Sequence, residues 1–529
     1  MDFALYPLAY YKRQECILKM VPKQSSRSKD FINLSILLTL AFFVGLYIIY
    51  TTVVISKDGV IFIKYAKQFD TDPVRTMVNE YQHPGYPWLI LQAHKMTGFL
   101  HKDTSILSWI YCGQGVALVF RLLALAILYF VGKKLFGFRM CFWWILILVL
   151  LPKPAGYGSD VLSDWPHLCF LVAGLLLLFN GSVSNRWWMF GFVGLAGGIG
   201  YLIRPECLQL VALGSLWLGL QFFWSKRTIS KGKVISALVL LLVSFIAIAG
   251  PYMKLKGSIL PKKNFDLFAK SLQQSEFYTQ SNQGISESVL AFQFMPTSVI
   301  KAFCKLFSNV GETLLWFFVP ALLIGMYKWF NLRKWHEPEA FFVIGLIALN
   351  VPLVILLYCK YGYISDRHTL PLLILPVLYV PLGLQELANW LEERFPKKVK
   401  CFPESNHDVN FWFLVLFLVG ISLCVPKLFR PIRINRQGYR AAATWLKANT
   451  DVAAIVAVPD KRISFYAERE GFVYKNGNIP SNAVYVVKIS EGQKDETVLM
   501  ESLDTVEYKY VSKEKSGVNV FIQKNLQDR

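Results

Sequence analysis

Apolar runs recur along the chain, and most of them are long enough to cross a membrane as a helix. The first, INLSILLTLAFFVGLYIIYTTVV, covers about residues 32–55. A hydrocarbon core about 30 Å thick needs roughly 20 apolar residues per helix, and each span must satisfy its own backbone hydrogen bonds. The pattern therefore predicts a helical bundle of about eleven spans. The later runs lie near 105–131, 140–151, 166–182, 187–203, 207–224, 234–252, 301–328, 340–358, 369–389 and 410–428.

Basic residues mark alternate loops between these runs. Lys133, Lys134 and Arg139 follow the second run, and SKRTISKGK, YKWFNLRKW and PKKVK come later. Lys and Arg favour the cytoplasmic side of a membrane. Residues 1–31 are basic and show no apolar segment followed by a cleavage site, so we expect an uncleaved cytoplasmic tail, with 32–428 as the membrane domain. The alternation places residues 56–104, as a first outer loop, and the segment 429–529 on the outer side.

The segment after about residue 430 changes character. NRQGYRAAATWLKAN and KRISFYAERE suit helices, whereas VAAIVAVP, SNAVYVVKI and SGVNVFIQK are rich in β-branched residues and bounded by turn formers. Residues 429–529 are therefore expected to form a small extracytoplasmic α/β domain. Its strands are not followed by a glycine-rich phosphate loop, so we assign it no nucleotide.

Composition supports a membrane protein and excludes two other classes. The chain is 54% hydrophobic and 17% charged over 529 residues, which does not suit a soluble multidomain enzyme. Its net charge of +21 resides in short clusters beside the apolar runs, not in a nucleic-acid patch. The 9 cysteines include no CxxC pair, so neither a zinc site nor a disulfide framework is predicted.

The stretch SKDGVIFIKYAKQFD opens the first outer loop and is amphipathic. Val60 and Ile63 alternate with Lys64 and Lys67 in a pattern that suits a helix lying along the membrane interface with its apolar face in the lipid. Asp58 stands at the start of this helix. Pro84, Gly85 and Pro87 then fix a bend further along the loop.

The polar residues that composition does not explain fall on the predicted outer face. They are Asp58; His83 and Tyr86 in EYQHPGYPWLI; Asp160 and Asp164 in GYGSDVLSDWP; Arg204 and Glu206 in YLIRPE; and Lys360, Tyr363, Arg367 and His368 in CKYGYISDRHTLP. Arginine and lysine there suit an anion site, because a guanidinium offers a planar fork of donors and an ammonium a point charge.

Each of these groups has a structural alternative. Arg204 could pair with Glu206 or extend to the interface instead of binding phosphate. Asp160 and Asp164 could orient an acceptor, although Asp164 also suits the first turn of a helix. The cations of residues 360–368 could contact lipid headgroups instead of a substrate.

Four of these motifs together resemble one family. SKDGVIFIKYAKQF, HPGYPWLI, YLIRPE and YGYISDRHTLPLLILP, in this order over about residues 32–390, resemble the bacterial C-type polytopic membrane glycosyltransferases (GT-C). That group includes dolichyl-phosphate-mannose protein mannosyltransferases and lipid A aminoarabinose transferases of the family 39 type. The resemblance implies a membrane helical bundle, in a bacterial inner membrane. The implied enzyme transfers a sugar from a polyprenyl-phosphate donor to a hydroxyl of a glycan, lipid or protein.

The resemblance also implies roles for residues. Asp58 matches the catalytic acid of the first outer loop and would be the general base, accepting the proton of a weak hydroxyl nucleophile as it attacks. Arg204, Arg367 and Lys360 would stabilise the leaving phosphate, and a single displacement would invert the anomeric centre. The residues expected to support the site or contact the acceptor are His83, Tyr86, Asp160, Asp164, Glu206, Tyr363 and His368.

Many members of the family carry two adjacent acids where this chain has Asp58 and Gly59. This departure predicts that no metal and no other cofactor is used. A transporter or flippase of lipid-linked sugars is the main alternative, although such proteins tend to show internal repeats and charges at the bilayer midplane. A membrane-anchored binding or sensing protein is a third class, with its outer domain as the working part.

Overall fold

The computed structural model describes residues 27–100, 105–223, 230–258, 296–332, 337–395, 410–474, 479–491, 506–512 and 517–524. Most of the predicted cytoplasmic tail and the PKKVK loop lie outside these residues. The described chain is mainly helical and ends in a small mixed sheet, which confirms the predicted fold class.

The helices of the membrane domain coincide with the predicted apolar runs. By length and composition, the described residues hold seven candidate spans, two bent helix pairs that pass the same test, and two shorter apolar helices. The seven are Ser28–Thr51, Ile106–Gly137, Asp164–Val183, Pro205–Phe223, Lys231–Lys256, Pro338–Tyr361 and Phe411–Leu428. The bent pairs are Ser298–Thr313 with Phe318–Asn331 and Asp366–Ile374 with Pro376–Arg394, and the short helices are Met140–Leu150 and Met189–Ile203.

The run near 301–328 differs from its prediction as one continuous span. Its two helices meet at an angle of 106°. Leu315 and Trp316 between them have positive φ angles of 56° and 61°, a left-handed conformation that ends a right-handed helix. Hydropathy registers this run as a single segment because the break is made by apolar residues and not by glycine or proline.

The first loop contains three helices: α1 (Lys57–Thr71), α2 (Pro73–Asn79) and α3 (Gly85–Leu100). Ser56 begins α1 as its N-cap, with its hydroxyl accepting a hydrogen bond from the Gly59 amide at 2.9 Å. The prediction that the apolar face of α1 lies in lipid is wrong. Val60 and Ile63 are fully buried within the protein, so this helix is a packed part of the fold.

Gly59 is required by the same packing. A Cβ at this position would lie 2.9 Å from the Val161 side chain and 3.0 Å from its carbonyl oxygen. Such contacts are closer than van der Waals packing permits, so even alanine would force α1 away from the segment that carries Asp160 and Val161. Steric exclusion at position 59 therefore explains why no second acid follows Asp58.

The described part of the C-terminal domain forms a five-stranded sheet with two helices. Its strands are β1 (Ile455–Val458), β2 (Glu470–Val473), β3 (Tyr485–Glu491), β4 (Tyr508–Tyr510) and β5 (Val518–Lys524), and its helices are α4 (Gln437–Asn449) and α5 (Lys461–Ala467). The strand order is β2-β1-β3-β5-β4. The β1 strand pairs in parallel with β2 and β3, whereas β5 pairs antiparallel with β3 and β4. The sequence analysis identified both helices, β1, β3 and β5, but not the short edge strands.

This domain packs directly on the first loop. One continuous cluster of buried apolar side chains contains Val60 and Ile63 of α1 together with Ile463 and Val458 of the domain. The Ile55 amide also donates a hydrogen bond to the Tyr466 hydroxyl at 3.0 Å. The loop and the domain therefore lie on the same side of the helical bundle.

Candidate active site

Four charged side chains from distant parts of the sequence form one chain of contacts. Arg367 Nη2 donates to Asp58 Oδ2 at 2.6 Å, and its Nη1 lies 3.8 Å from Asp164 Oδ2. Asp164 Oδ1 in turn accepts a hydrogen bond from Arg204 Nη1 at 2.9 Å. The structure thus places Asp58, Arg367 and Arg204, three of the predicted site residues, around a fourth, Asp164.

The ends of secondary structure elements position these groups. Asp58 lies in the first turn of α1, where a carboxylate is favoured by the helix dipole. Arg204 is the C-cap of the helix Met189–Ile203, which ends there because the next residue is Pro205. Arg367 belongs to the 3₁₀ helix Asp366–Thr369. Helix ends hold these side chains more rigidly than loops would.

An adjacent ion cluster anchors the Arg367 segment. Lys153 Nζ lies 2.6 Å from Asp366 Oδ2 and 2.9 Å from Glu312 Oε2. Asp366 directly precedes Arg367, so this cluster ties the 3₁₀ helix to two neighbouring helices. The sequence analysis did not single out Lys153 or Glu312, because 159 residues separate them in the chain.

Asp164 belongs to the site because both arginines contact its carboxylate. It stands in the first turn of the helix Asp164–Val183, as predicted, and its side chain is 1% exposed. The Arg204 guanidinium also donates from Nε to Ser163 Oγ at 3.1 Å. The hydrogen-bond partners of Arg204 are therefore Asp164 and Ser163, not the Glu206 carboxylate considered in the sequence analysis.

Asp58 is ionised and accessible. Burial alone would raise the pKa of its carboxyl, but the charge of Arg367 and the hydrogen bond from it outweigh this, so that the pKa lies below its ordinary value. The side chain is 35% exposed, which leaves room for a second partner. A charged carboxylate that is partly exposed can accept a proton from a bound hydroxyl.

Asp160 fixes the residues that directly precede α1. Its Oδ1 accepts from the amides of Ser56 at 3.2 Å and Val161 at 2.8 Å, and its Oδ2 accepts from Arg433 Nη2 at 2.6 Å. Arg433 Nη1 also donates to the Val54 carbonyl at 3.0 Å. These contacts fix residues 54–56 immediately before Asp58, a structural role in place of the acceptor contact suggested for Asp160.

We expect Arg433→Ala to destabilise the protein by about 3 kcal/mol, because it leaves the buried Asp160 carboxylate without its charged partner. Thermal unfolding of the purified protein in detergent measures this loss. Lys447→Ala is the matched control: it breaks the Lys447–Glu468 pair, which is 2.6 Å long and exposed on the same domain. The control should cost less than about 1 kcal/mol. Equal losses in the two variants would contradict the role given to Arg433.

Three predicted residues, together with one that the sequence analysis missed, form a polar group beside Arg204. Glu206 Oε2, His83 Nδ1 and His368 Nδ1 are buried without hydrogen-bond partners among the described residues, as are both ring nitrogens of His167. Burial lowers the pKa of His83 to about 4, and Arg204 and Lys256 add to this against the opposing charge of Glu206. His167 follows Asp164 by three residues, one helical turn, which is the signal that could have identified it.

The remaining predicted residues lie apart from this chain of contacts. The Tyr86 hydroxyl donates to the Gly113 carbonyl at 2.9 Å, and the ring packs on Phe62, so Tyr86 is part of the fold. Lys360 lies over the ring of Tyr361, and Tyr363 is 62% exposed. The described contacts of Asp58, Asp164 and Arg204 include none of these three residues.

An apolar groove opens next to the charged residues. It has a volume of about 530 Å³ and is lined by α1, α2 and α3 and by the helices Met189–Ile203 and Lys231–Lys256. Pro84 and Gly85 line it directly after His83, and Leu202 and Ile203 line it directly before Arg204. The groove lining is therefore adjacent in the chain to His83 and Arg204.

Comparison with known proteins identifies the fold. No family model matches the chain, and no curated protein matches it by sequence. Among solved structures, ArnT from Cupriavidus metallidurans bound to undecaprenyl phosphate is 14% identical with a TM-score of 0.52, and the match covers 94% of this chain and 98% of that one.

Archaeal oligosaccharyltransferases match as well. AglB from Archaeoglobus fulgidus, in complex with an inhibitory peptide and a dolichol-phosphate, is 12% identical with a TM-score of 0.51, over 87% of this chain and 70% of that one. The Archaeoglobus fulgidus oligosaccharyltransferase with zinc and sulfate has the same identity and a TM-score of 0.52, over 85% and 67%. The chain therefore has the fold of the C-type membrane glycosyltransferases that its motifs resemble.

Proposed function

We propose that this protein is a membrane glycosyltransferase that takes a sugar from a polyprenyl-phosphate donor and transfers it to a hydroxyl acceptor at the outer face of the membrane. One observation carries the proposal: an ionised, accessible Asp58, two arginines and an apolar groove meet at one place. The fold neighbours whose structures contain undecaprenyl phosphate or dolichol-phosphate support a lipid-linked donor.

The proposed reaction is a single displacement. The acceptor oxygen forms a bond to the anomeric carbon while the bond from that carbon to the phosphate oxygen breaks, and Asp58 accepts the acceptor proton. Negative charge grows on the leaving phosphate, where Arg204 and Arg367 stabilise it. Arg204 has Nη2 available, since no described residue accepts a hydrogen bond from that nitrogen. Attack from the opposite side of the ring inverts the anomeric centre.

The groove suits the lipid part of this donor. Its lining is apolar and includes Leu202 and Ile203, directly before Arg204, so a polyprenyl chain in the groove would bring its phosphate near the guanidinium. Burying such a chain is favourable by about 25 cal/mol per Å² of apolar surface. A long-chain donor should therefore bind better than a short-chain one.

We expect Ile199→Trp, which narrows the groove, to raise KM for a long-chain polyprenyl-phosphate donor by roughly tenfold. This corresponds to the binding free energy lost when one or two methylene groups of the lipid are no longer buried. KM for a short-chain donor should change little. The control is Phe192→Trp, two helical turns away on the same helix, exposed like Ile199 but outside the groove lining. Equal changes for both chain lengths would remove the groove from the donor site.

We also propose that no metal takes part. Among the described residues, no three His, Cys, Asp or Glu side chains lie together as the ligands of one ion would. The carboxylates of Asp58 and Asp164 both face Arg367, which supplies positive charge that a metal would otherwise provide. These two observations support a reaction without a bound cation.

Chelation tests this proposal. After EDTA treatment and removal of metal from the buffers, we expect the rate of sugar transfer to stay within about twofold of the untreated rate. A loss of activity that zinc, manganese or magnesium restores would show that a metal is needed.

The main alternative is a flippase for lipid-linked sugars. A liposome assay separates the two functions: radiolabelled polyprenyl-phosphate sugar is added with an envelope lipid extract, and products are resolved by chromatography. A new glycosidic product supports the transferase. Movement of intact donor between leaflets without such a product would support the flippase.

A further inference from the structure

The C-terminal domain places a lysine beside the catalytic helix. Asp460 is the N-cap of α5, and its Oδ2 lies 3.2 Å from Lys57 Nζ of α1. Lys57 directly precedes Asp58, and Lys461 directly follows Asp460. Asp58 and Lys461 therefore flank a single ion pair that joins the two domains.

Positive charge is in excess at this junction. Asp460 is already bound by Arg462, which donates from Nε and Nη2 at 2.9 Å each, and both side chains are buried. Lys64 lies seven residues after Lys57, two helical turns along the same face of α1. The carboxylates near Lys57, Lys64 and Lys461 are Asp460, which Arg462 already binds, and Asp58, which Arg367 already binds. We call these three lysines the lysine rim.

Lys461 is the member of the lysine rim that the C-terminal domain supplies. It is half-buried, and no described carboxylate lies within ion-pair distance of its ammonium group. Burial lowers its pKa, and although Asp58 and Asp460 counter this, Lys64 and Lys57 add to the lowering. Cations gathered near a surface without counter-charge attract an anion.

The position of the rim relative to Asp58 indicates which substrate would bring that anion. The donor phosphate is assigned to Arg367 and Arg204, in the membrane domain, next to the groove. Lys57 and Lys64 of the lysine rim lie on α1 itself, and Lys461 approaches from the C-terminal domain. A hydroxyl that loses its proton to Asp58 would come from this side.

We propose that the lysine rim binds an anionic group of the acceptor, a phosphate or a carboxylate, and so holds its hydroxyl at Asp58. The acceptor is then an acidic glycan or lipid, and the C-terminal domain supplies part of its binding site. The term acceptor rests on the proposed transferase function, whereas anion binding at the rim does not.

Pyridoxal 5′-phosphate tests anion binding without knowledge of the acceptor. Its aldehyde condenses with a neutral lysine amine with loss of water, and borohydride reduction fixes the adduct for peptide mapping by mass spectrometry. On the full-length protein in detergent, we expect labelling at Lys461 to be roughly tenfold faster than at Lys488, because the rim attracts the probe's phosphate. Lys488 is the control, being half-buried in the same domain.

Two comparisons separate attraction of the phosphate from simple amine reactivity. Pyridoxal, which lacks the phosphate, should show a severalfold smaller preference for Lys461, which reflects amine reactivity alone. Lys64→Ala should reduce the preference for pyridoxal 5′-phosphate severalfold. Equal preference for the two aldehydes, or an unchanged preference in Lys64→Ala, would overturn the proposal.

Protection experiments identify the source of the anion. Inorganic phosphate should slow labelling of Lys461, and phosphatidylglycerol vesicles that protect better than phosphatidylcholine vesicles would indicate an anionic lipid. Protection by inorganic phosphate with no difference between the vesicles would indicate a soluble acid. No protection by either anion would contradict an anion site. Labelling and protection as expected, together with a negative transfer assay, would refute the transferase but not the site.

Discussion

Asp58→Asn should lower the rate of sugar transfer by about 10² to 10⁴ fold, the usual contribution of a positioned general base. Asparagine keeps the size of the side chain but cannot take a proton from the attacking hydroxyl. The loss should appear in kcat, with little change in KM for the donor, because the groove and Arg204 are untouched. Initial rates over a range of donor concentrations measure it.

Asp70→Asn is the matched control for this substitution. Asp70 lies on the same helix, is exposed, and pairs with Lys95 at 2.6 Å away from the site. Its substitution should leave the rate unchanged. Because the pKa of Asp58 is lowered, the wild-type enzyme should also keep this base ionised at neutral and mildly acidic pH. A wild-type rate in Asp58→Asn would exclude Asp58 as the base.

Arg204→Ala should reduce kcat/KM for the donor by about 10² to 10³ fold. Removal of one preorganised donor to a developing anion costs roughly this much. The substitution also leaves Asp164 with only the longer contact to Arg367, so its negative charge would further repel the donor phosphate. Kinetics with varied donor and fixed acceptor measure the effect.

Arg204→Lys distinguishes charge from geometry. It keeps the positive charge but lacks the planar fork that binds Asp164, Ser163 and a phosphate together, so we expect it to recover only part of the loss. Arg75→Ala, at an exposed position on α2, is the control and should behave as wild type. If Arg204→Ala retained the wild-type kcat/KM, Arg204 would not belong to the donor site.

The membrane fold could be predicted from sequence because its signal is local. Nine of the eleven predicted runs each coincide with one helix, and the other two coincide with bent helix pairs. The prediction was wrong where local hydropathy cannot distinguish the environments of an apolar surface. The apolar face of α1 has the same sequence pattern whether it contacts lipid or protein. The bend at Leu315 and Trp316 is made by apolar residues that usually continue a membrane helix.

The site was predictable as a set of residues but not as a set of contacts. Asp58, Arg204 and Arg367 could be selected because charges are costly at the ends of membrane helices. Their partners could not, since Asp164 and Arg204 are 40 residues apart and Asp58 and Arg367 are 309 apart.

The residues that the C-terminal domain contributes could not be predicted from the sequence for the same reason. Arg433 and Lys461 are ordinary basic residues in the sequence of a chain with 56 lysines and arginines. Only the packing of the domain against α1 brings one to Asp160 and the other beside Asp58.

The most direct test of the central claim is a mole-for-mole balance with purified wild-type protein. Polyprenyl-phosphate sugar, labelled in both the sugar and the lipid, is incubated with the protein and an envelope lipid extract. The transferase account predicts that each polyprenyl phosphate released is matched by one sugar joined to an acceptor, and that Asp58→Asn abolishes both together. Intact donor with no new glycosidic bond, or equal release by the wild-type protein and the variant, would contradict it.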